Sequence, residues 1–164
     1  MTIKHCKPET DDKGVLWLCL DLADSKVNVL SSEVLEELSE IIDATADNPP
    51  SGLVLWSGKA GTFVMGADIK EFTKVDTLEL ANKVVRLGQR LMDKVEGLKF
   101  PTVAAINGFC LGGGLELSMA CDYRIVFDGS KKILGLPESS LGSIPDLVAR
   151  SVRSGYAASA LACS

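Results

Sequence analysis

Three consecutive glycines interrupt an apolar run in the stretch FCLGGGLELSMACD, Phe109 to Asp122, and one glutamate follows two residues later. Glycine lacks a Cβ, so a triplet belongs where the backbone turns sharply or lies against another backbone or a ligand. The residues after it, Leu115 to Ala120, carry a short helical pattern, which puts Gly112, Gly113 and Gly114 where a helix begins. Amide N–H groups in a helix's first turn have no partner inside the helix and carry partial positive charge, so they suit an anion. A tight turn with close packing explains the triplet equally well at this point. The pattern is no P-loop, because no lysine follows the glycines, and it is not GxGxxG, because Leu117 stands at the third glycine position.

Glu116 sharpens the question. Between Leu115 and Leu117 it is expected to be partly desolvated, the environment that lifts a carboxyl towards the range useful for proton transfer. A solvent-facing helical glutamate is the structural alternative. A second carboxylate, Glu138 in LGLPESSLG, follows Pro137; it suits acid-base work, and equally the first turn of a helix after proline. A third segment, GKAGTFVMGADIKEF from Gly58 to Phe72, comes after a strand and leads into a short helix expected at 68–72. That arrangement places the Gly66-Ala67 amides like those of the triplet, and two amides from separate turns can make an oxyanion hole. Lys59 and Lys70 flank the loop and are candidates for a phosphate, with solvated surface lysines as the ordinary alternative.

These segments sit in an alternation of strand-like and helix-like stretches. GVLWLCLDL reads as a strand, and SSEVLEELSEIIDATAD as a helix capped by Ser31 or Ser32 with Val34, Leu35, Leu38, Ile41 and Ile42 on one face. Leu53 to Trp56 is a buried strand. A long helix follows, with Asp76 and Glu79 at capping-box spacing and Leu80, Val84, Leu87, Leu91 and Val95 in period up to Gly97. TVAAING and YRIVF are further strands. Strands separated by helices imply an α/β fold with mostly parallel pairing.

The chain's 164 residues, 46% of them hydrophobic, are enough for one substantial core. A net charge of −5 without any long basic run argues against nucleic acid as a partner. The polar start lacks an apolar signal core and no stretch is long enough for a membrane span, so a cytoplasmic protein is expected. Five cysteines without CxxC spacing indicate neither a disulfide framework nor a zinc site, and most are expected to be small core residues. The only histidine, His5, lies in the polar start, which leaves nothing from which to build a Ser-His-Asp triad or a His-rich metal site.

Taken together, GTFVMGADIKEF, PTVAAINGFCLGGGLELSMACDYRI and LGLPESSLG, in this order and spacing, resemble the crotonase, or enoyl-CoA hydratase/isomerase, superfamily over Val15 to Pro145. KVNVLSSEVLEELSEII and KKILGLPE look most like the amino-terminal hydratase/isomerase part of the multifunctional fatty-acid oxidation subunits. The resemblance implies an α/β, crotonase-like spiral of β-β-α units. It implies that the amides of Ala67 and Gly113 hold the thioester carbonyl of a coenzyme A ester, and that Glu116 and Glu138 position a water and move a proton. It makes Gly66, Ala67, Asp68, Ile69, Lys70 and Gly112 substrate-binding residues. The implied reaction is hydration of 2-trans-enoyl-CoA to 3-hydroxyacyl-CoA in β-oxidation, alone or with double-bond isomerisation. Coenzyme A enters only as the substrate's carrier; no metal or redox cofactor is implied. Full-length relatives oligomerise or join a β-oxidation complex. A non-catalytic acyl-CoA-binding fragment on the same scaffold is the alternative.

The resemblance fades after Pro145. The family continues with a glycine-rich PG.GGT.R turn and further helices, whereas this chain continues DLVARSVRSGYAASALACS. One nucleotide inserted after the Pro145 codon, with suitable synonymous codons, turns the same letters into Pro-Gly-Leu-Gly-Gly-Thr-Val-Arg. The expected organisation is therefore a crotonase-like core over 1–145, incomplete at its carboxyl end, and a tail over 146–164 that is out of frame or naturally divergent. Without the closing helices, apolar faces of the earlier elements are expected to lie uncovered, and the chain by itself is expected to show little 2-enoyl-CoA hydration.

Overall fold

The computed structural model of the chain describes residues 3–68, 71, 78–128 and 134–136, with backbone only at 78–82. In chain order the elements are β1 (Cys6–Thr10), β2 (Val15–Leu20), α1 (Ser32–Ala44), β3 (Gly52–Ser57), β4 (Thr62–Val64), α2 (Leu78–Glu96), β5 (Thr102–Ile106), β6 (Phe109–Leu111), α3 (Gly113–Ala120), β7 (Tyr123–Val126) and β8 (Leu134–Gly135). They form two sheets, one in the order β1-β2-β3-β5-β7 and one in the order β4-β6-β8. Pairing is parallel throughout except between β1 and β2. This is the α/β architecture expected from the alternation of patterns.

The registers assign the two faces of the larger sheet. Leu16, Leu18 and Leu20 share a face with Leu53 and Leu55 and with Ala104 and Ile106, and all are buried. Against them pack Val34, Leu35, Leu38, Ile41 and Ile42 of α1, the stripe predicted from period, with Leu91 and Val95 of α2. Fully burying each such side chain is worth about 1.5–3 kcal/mol. Ser31 caps α1 by accepting from Val34 N. The opposite face carries Trp17, Trp56, Tyr123 and Ile125, all exposed by more than a third, so an apolar surface does lie open there. No helix among the described residues is long and apolar enough to cross a membrane.

The start of the chain differs from its polar reading. Residues Cys6–Thr10 form an edge strand, where Pro8 is tolerated because one side of the strand needs no ladder bond. His5 is buried at its head rather than solvated. The amides of Lys4, His5 and Cys6 donate to the Glu37 carboxylate at 3.0, 2.9 and 2.9 Å, which explains how a glutamate 1% exposed is accommodated on the inner face of α1. Asp76 and the side chain of Glu79, the capping pair of α2, lie outside the described residues, as do the tail over 146–164 and its expected boundary.

Candidate active site

The three motif segments end on one side of the smaller sheet. Because β4, β6 and β8 are parallel, their carboxyl ends lie together, and from those ends run Met65 to Asp68, Gly112 to Glu116, and Leu136. In open α/β sheets, ligands bind beyond the carboxyl ends of the strands. The expected order of the motifs thus becomes a spatial cluster.

Two trans peptides fix the direction of the amides of interest. Gly66 O accepts from Leu30 N at 2.8 Å, and Asp68 N donates to Leu30 O at 3.2 Å. No peptide bond among the described residues is cis, and a trans peptide points its N–H opposite to its C=O, so the Ala67 N–H faces away from Leu30. Gly66 has φ +107, which lets both Met65 N and Gly66 O turn towards the segment from Asn28 to Leu30. The second peptide obeys the same rule. Gly112 O accepts from Leu115 N and Glu116 N at 2.9 and 3.1 Å, inside the helix, so the Gly113 N–H projects out beyond the helix start. Among the described residues neither Ala67 N nor Gly113 N meets a backbone acceptor.

The glycines play separate roles. Gly112 is the N-cap with φ 49, and its own N–H is spent on Gly135 O at 2.9 Å, which ties β8 to the turn. The helix starts at Gly113, two residues before the sequence pattern suggested. Gly114, in its first turn, packs directly on β4: a Cβ there would meet Val64 O at 2.5 Å and Val64 Cβ at 2.6 Å. Close packing of α3 on β4 and exposure of an amide are thus both true of the triplet, at different residues.

Glu116 lies in the first turn of α3 and is 6% exposed, the desolvated placement expected from its neighbours. The positive end of the helix dipole favours a carboxylate at this position. The Asp68 backbone donates to Leu30 O at 3.2 Å and accepts a turn bond from Glu71 N at 3.0 Å. Glu138, Ile69 and Lys70 lie outside the described residues. Lys59 is neither solvated nor free for a phosphate: its ammonium pairs with Asp21 at 2.7 Å and is largely buried.

A buried polar layer behind the cluster was not visible in the sequence. Ser57 donates to Thr62 O at 2.6 Å, Asn107 donates to Lys59 O at 2.8 Å, and Asn28 reaches Leu20 O, Ser57 Oγ and Phe63 O. Gly108 lies so close to Gly61 that a Cβ would sit 1.9 Å from its carbonyl oxygen, and Phe109 N donates to that oxygen. The signal available was a lone asparagine among Val27, Val29 and Leu30, and an Asn-Gly pair at the end of a strand.

One further cluster, His5 with Glu33 and Glu37, has metal-ligating side chains close together. Its hydrogen bonds assign it a structural role. His5 Nδ1 accepts from Ala23 N at 3.1 Å, so in the neutral ring the proton is on Nε2, which points at Glu33 Oε2 at 3.0 Å. A nitrogen that carries this proton has no lone pair for a metal, and both Glu37 oxygens are already held by amides.

The chain belongs to the enoyl-CoA hydratase/isomerase family, whose sequence model matches residues 12–157. It is 42% identical over 137 residues to the fatty acid oxidation complex subunit alpha of Aliivibrio fischeri, a match covering 82% of this chain and 20% of that protein. The corresponding subunit of Shewanella amazonensis is 44% identical over 135 residues, covering 82% and 19%. Among solved structures, an enoyl-CoA hydratase from Bacillus anthracis superposes with a TM-score of 0.80 at 33% identity, covering 88% of this chain and 55% of that one. The fold is therefore crotonase-like. The chain spans about a fifth of the length of these curated relatives and about half that of the structural one.

Proposed function

We propose that the chain carries the thioester site of an enzyme that hydrates 2-trans-enoyl-CoA to 3-hydroxyacyl-CoA in fatty-acid β-oxidation. The substrate's thioester oxygen lies between the amides of Ala67 and Gly113. Water attacks the β-carbon, the double-bond electrons move through the α-carbon onto that oxygen, and the two N–H groups hold the enolate charge as it forms. One of Glu116 and Glu138 takes the water's proton and the other delivers a proton to the α-carbon, so water is added without net oxidation and no metal or redox cofactor enters. The same hole serves double-bond isomerisation, in which a proton leaves one carbon and returns to another.

The observation that carries this reading is the pair of trans peptides at 66–67 and 112–113, turned outward at the ends of neighbouring parallel strands with Glu116 buried one turn away. Gly66, Asp68, Ile69, Lys70 and Gly112 complete the thioester and coenzyme A contacts in this proposal. The names of the curated relatives support membership of a fatty acid oxidation complex. The four cysteines among the described residues are buried and unbridged, which suits a reducing compartment and is in keeping with a cytoplasmic protein. Hydration of a 2-enoyl-CoA, followed by the loss of its conjugated absorbance, tests the reading. Glu116→Gln and Glu138→Gln should each lower kcat by about 10²–10⁴-fold with thioester binding retained. Full hydration activity in Glu138→Gln would remove Glu138 from the mechanism and leave Glu116 as the one working glutamate.

A further inference from the structure

We propose that Asn28 is a positioning residue for this site: its side-chain amide, remote from the substrate, sets the direction of the Ala67 N–H and with it the rate of hydration. The proposal rests on the assignment of Ala67 as one of the two carbonyl donors.

Asn28 lies between β2 and α1 and is 3% exposed. Its Oδ1 accepts from Leu22 N at 2.9 Å, and its Nδ2 lies 2.9 Å from Leu20 O, 2.9 Å from Ser57 Oγ and 3.1 Å from Phe63 O. One carboxamide therefore joins the last turn of β2, the end of β3 and the middle of β4. Its backbone carbonyl adds a bond from Met65 N at 2.9 Å, and Leu30, two residues on, brackets Ala67 through Gly66 O and Asp68 N. Four hydrogen bonds thus lace the segment from Asn28 to Leu30 onto the segment from Phe63 to Asp68, and the peptide that aims the Ala67 amide lies inside that lacing.

The chemistry at this position fits asparagine closely. A buried acceptor for Leu22 N and buried donors for two carbonyl oxygens are needed within one short side chain. Aspartate would set a carboxylate against Leu20 O and Phe63 O, and alanine would take the acceptor from Leu22 N and a donor from Phe63 O and Leu20 O, of which Leu20 O keeps Gly58 N at 2.9 Å. Either change removes the side-chain bond of the four and leaves the three backbone ones. The segment from Asn28 to Leu30 then loses its anchor to β2, β3 and β4 and can shift, carrying the loop from Met65 to Asp68 with it while the substrate-binding surface stays present. A shift of about 1 Å in a reacting group's partner is enough for about 10²-fold in rate.

The test follows the polarisation of a bound carbonyl. Butyryl-CoA, isotope-labelled at its thioester carbon, is saturated and cannot be hydrated, and its infrared carbonyl band moves to lower frequency when two amides donate to it. In the full protein, Asn28→Ala should lose much of that shift and lower kcat by about 10–100-fold, with KM within about threefold of wild type. Ser57→Ala, which removes one of the groups that hold the Asn28 amide, should move both quantities the same way by less, and it decides the matter if Asn28→Ala does not fold. Thr102→Val serves as a control for general loss of stability: it disturbs a buried hydroxyl bonded to Asp122 in another part of the sheet and should leave band and kcat unchanged. A folded Asn28→Ala with the wild-type band and kcat overturns the inference, as does an equal loss in Thr102→Val. A wild-type protein that binds butyryl-CoA with no band shift overturns instead the assignment of Ala67 on which the inference rests.

Discussion

Gly114 offers a substitution for which local preference and tertiary packing predict opposite signs. Alanine is the better helix former by about 0.8–1.0 kcal/mol, so an isolated helix would gain from Gly114→Ala. Here the new Cβ would sit 2.5 Å from Val64 O, 2.6 Å from Val64 Cβ and 2.9 Å from Val64 Cγ1. Carbon contacts are comfortable at about 3.5–4.0 Å, so α3 and β4 must part by about 1 Å. Backbone supplies part of the obstacle and cannot rotate away, which puts the cost at the upper part of the 1–3 kcal/mol typical of overpacking. Net of propensity, Gly114→Ala should lose about 1–2 kcal/mol and about 2–8 °C in Tm. The same separation would carry Gly113 away from Ala67 and should lower hydration by about 10²-fold. Thermal unfolding and kcat on the purified variant check both parts. A variant as stable and as active as wild type would refute the claim that α3 is set against β4 by the absence of a side chain.

Three further outcomes follow from buried and paired groups. Glu37→Ala should cost at least about 2 kcal/mol, read as a fall in Tm, because it leaves the buried amides of His5 and Cys6 without the acceptor that holds them. Burial pushes the Cys110 and Cys121 thiols up to about 12, so at pH 8 only about one in ten thousand is thiolate; both should resist alkylation in the native protein and react on unfolding. The Lys59 hydrogen bond, followed by that of Lys7, holds the Asp21 carboxyl below its ordinary value. Its contribution to stability is therefore full above the ordinary aspartate range and lost as pH falls through the lowered native value, so the Tm difference between wild type and Asp21→Asn should shrink towards zero over that interval. A difference that stayed constant with pH would contradict the pairing.

The elements with several turns or residues of regular period were legible in the sequence. The apolar stripe and serine cap of α1 are where period and capping put them, since both follow from local geometry. Strands β4, β6 and β8 were not, because two or three residues are too few to show an alternation. β1 was hidden for a different reason: Cys-Lys-Pro-Glu-Thr looks solvated, and what makes it a strand is an antiparallel edge on β2 and a carboxylate from α1, both distant in sequence. At the site, the glycines pointed to outward amides at two turns and the apolar neighbours to a desolvated Glu116, which is buried; the choice of Ala67 and Gly113 as the donors was implied by the family resemblance. The layer of Asn28, Ser57 and Asn107 behind them was not, because a buried polar residue shows its purpose only when its partners on other strands are known.

A structure of the protein with a saturated acyl-CoA bound tests the central claim most directly. The thioester oxygen should lie about 2.7–3.1 Å from both Ala67 N and Gly113 N, with the Glu116 carboxyl beside the α- and β-carbons. A carbonyl held by only one of these amides, or an acyl chain seated away from the carboxyl ends of β4 and β6, would contradict it.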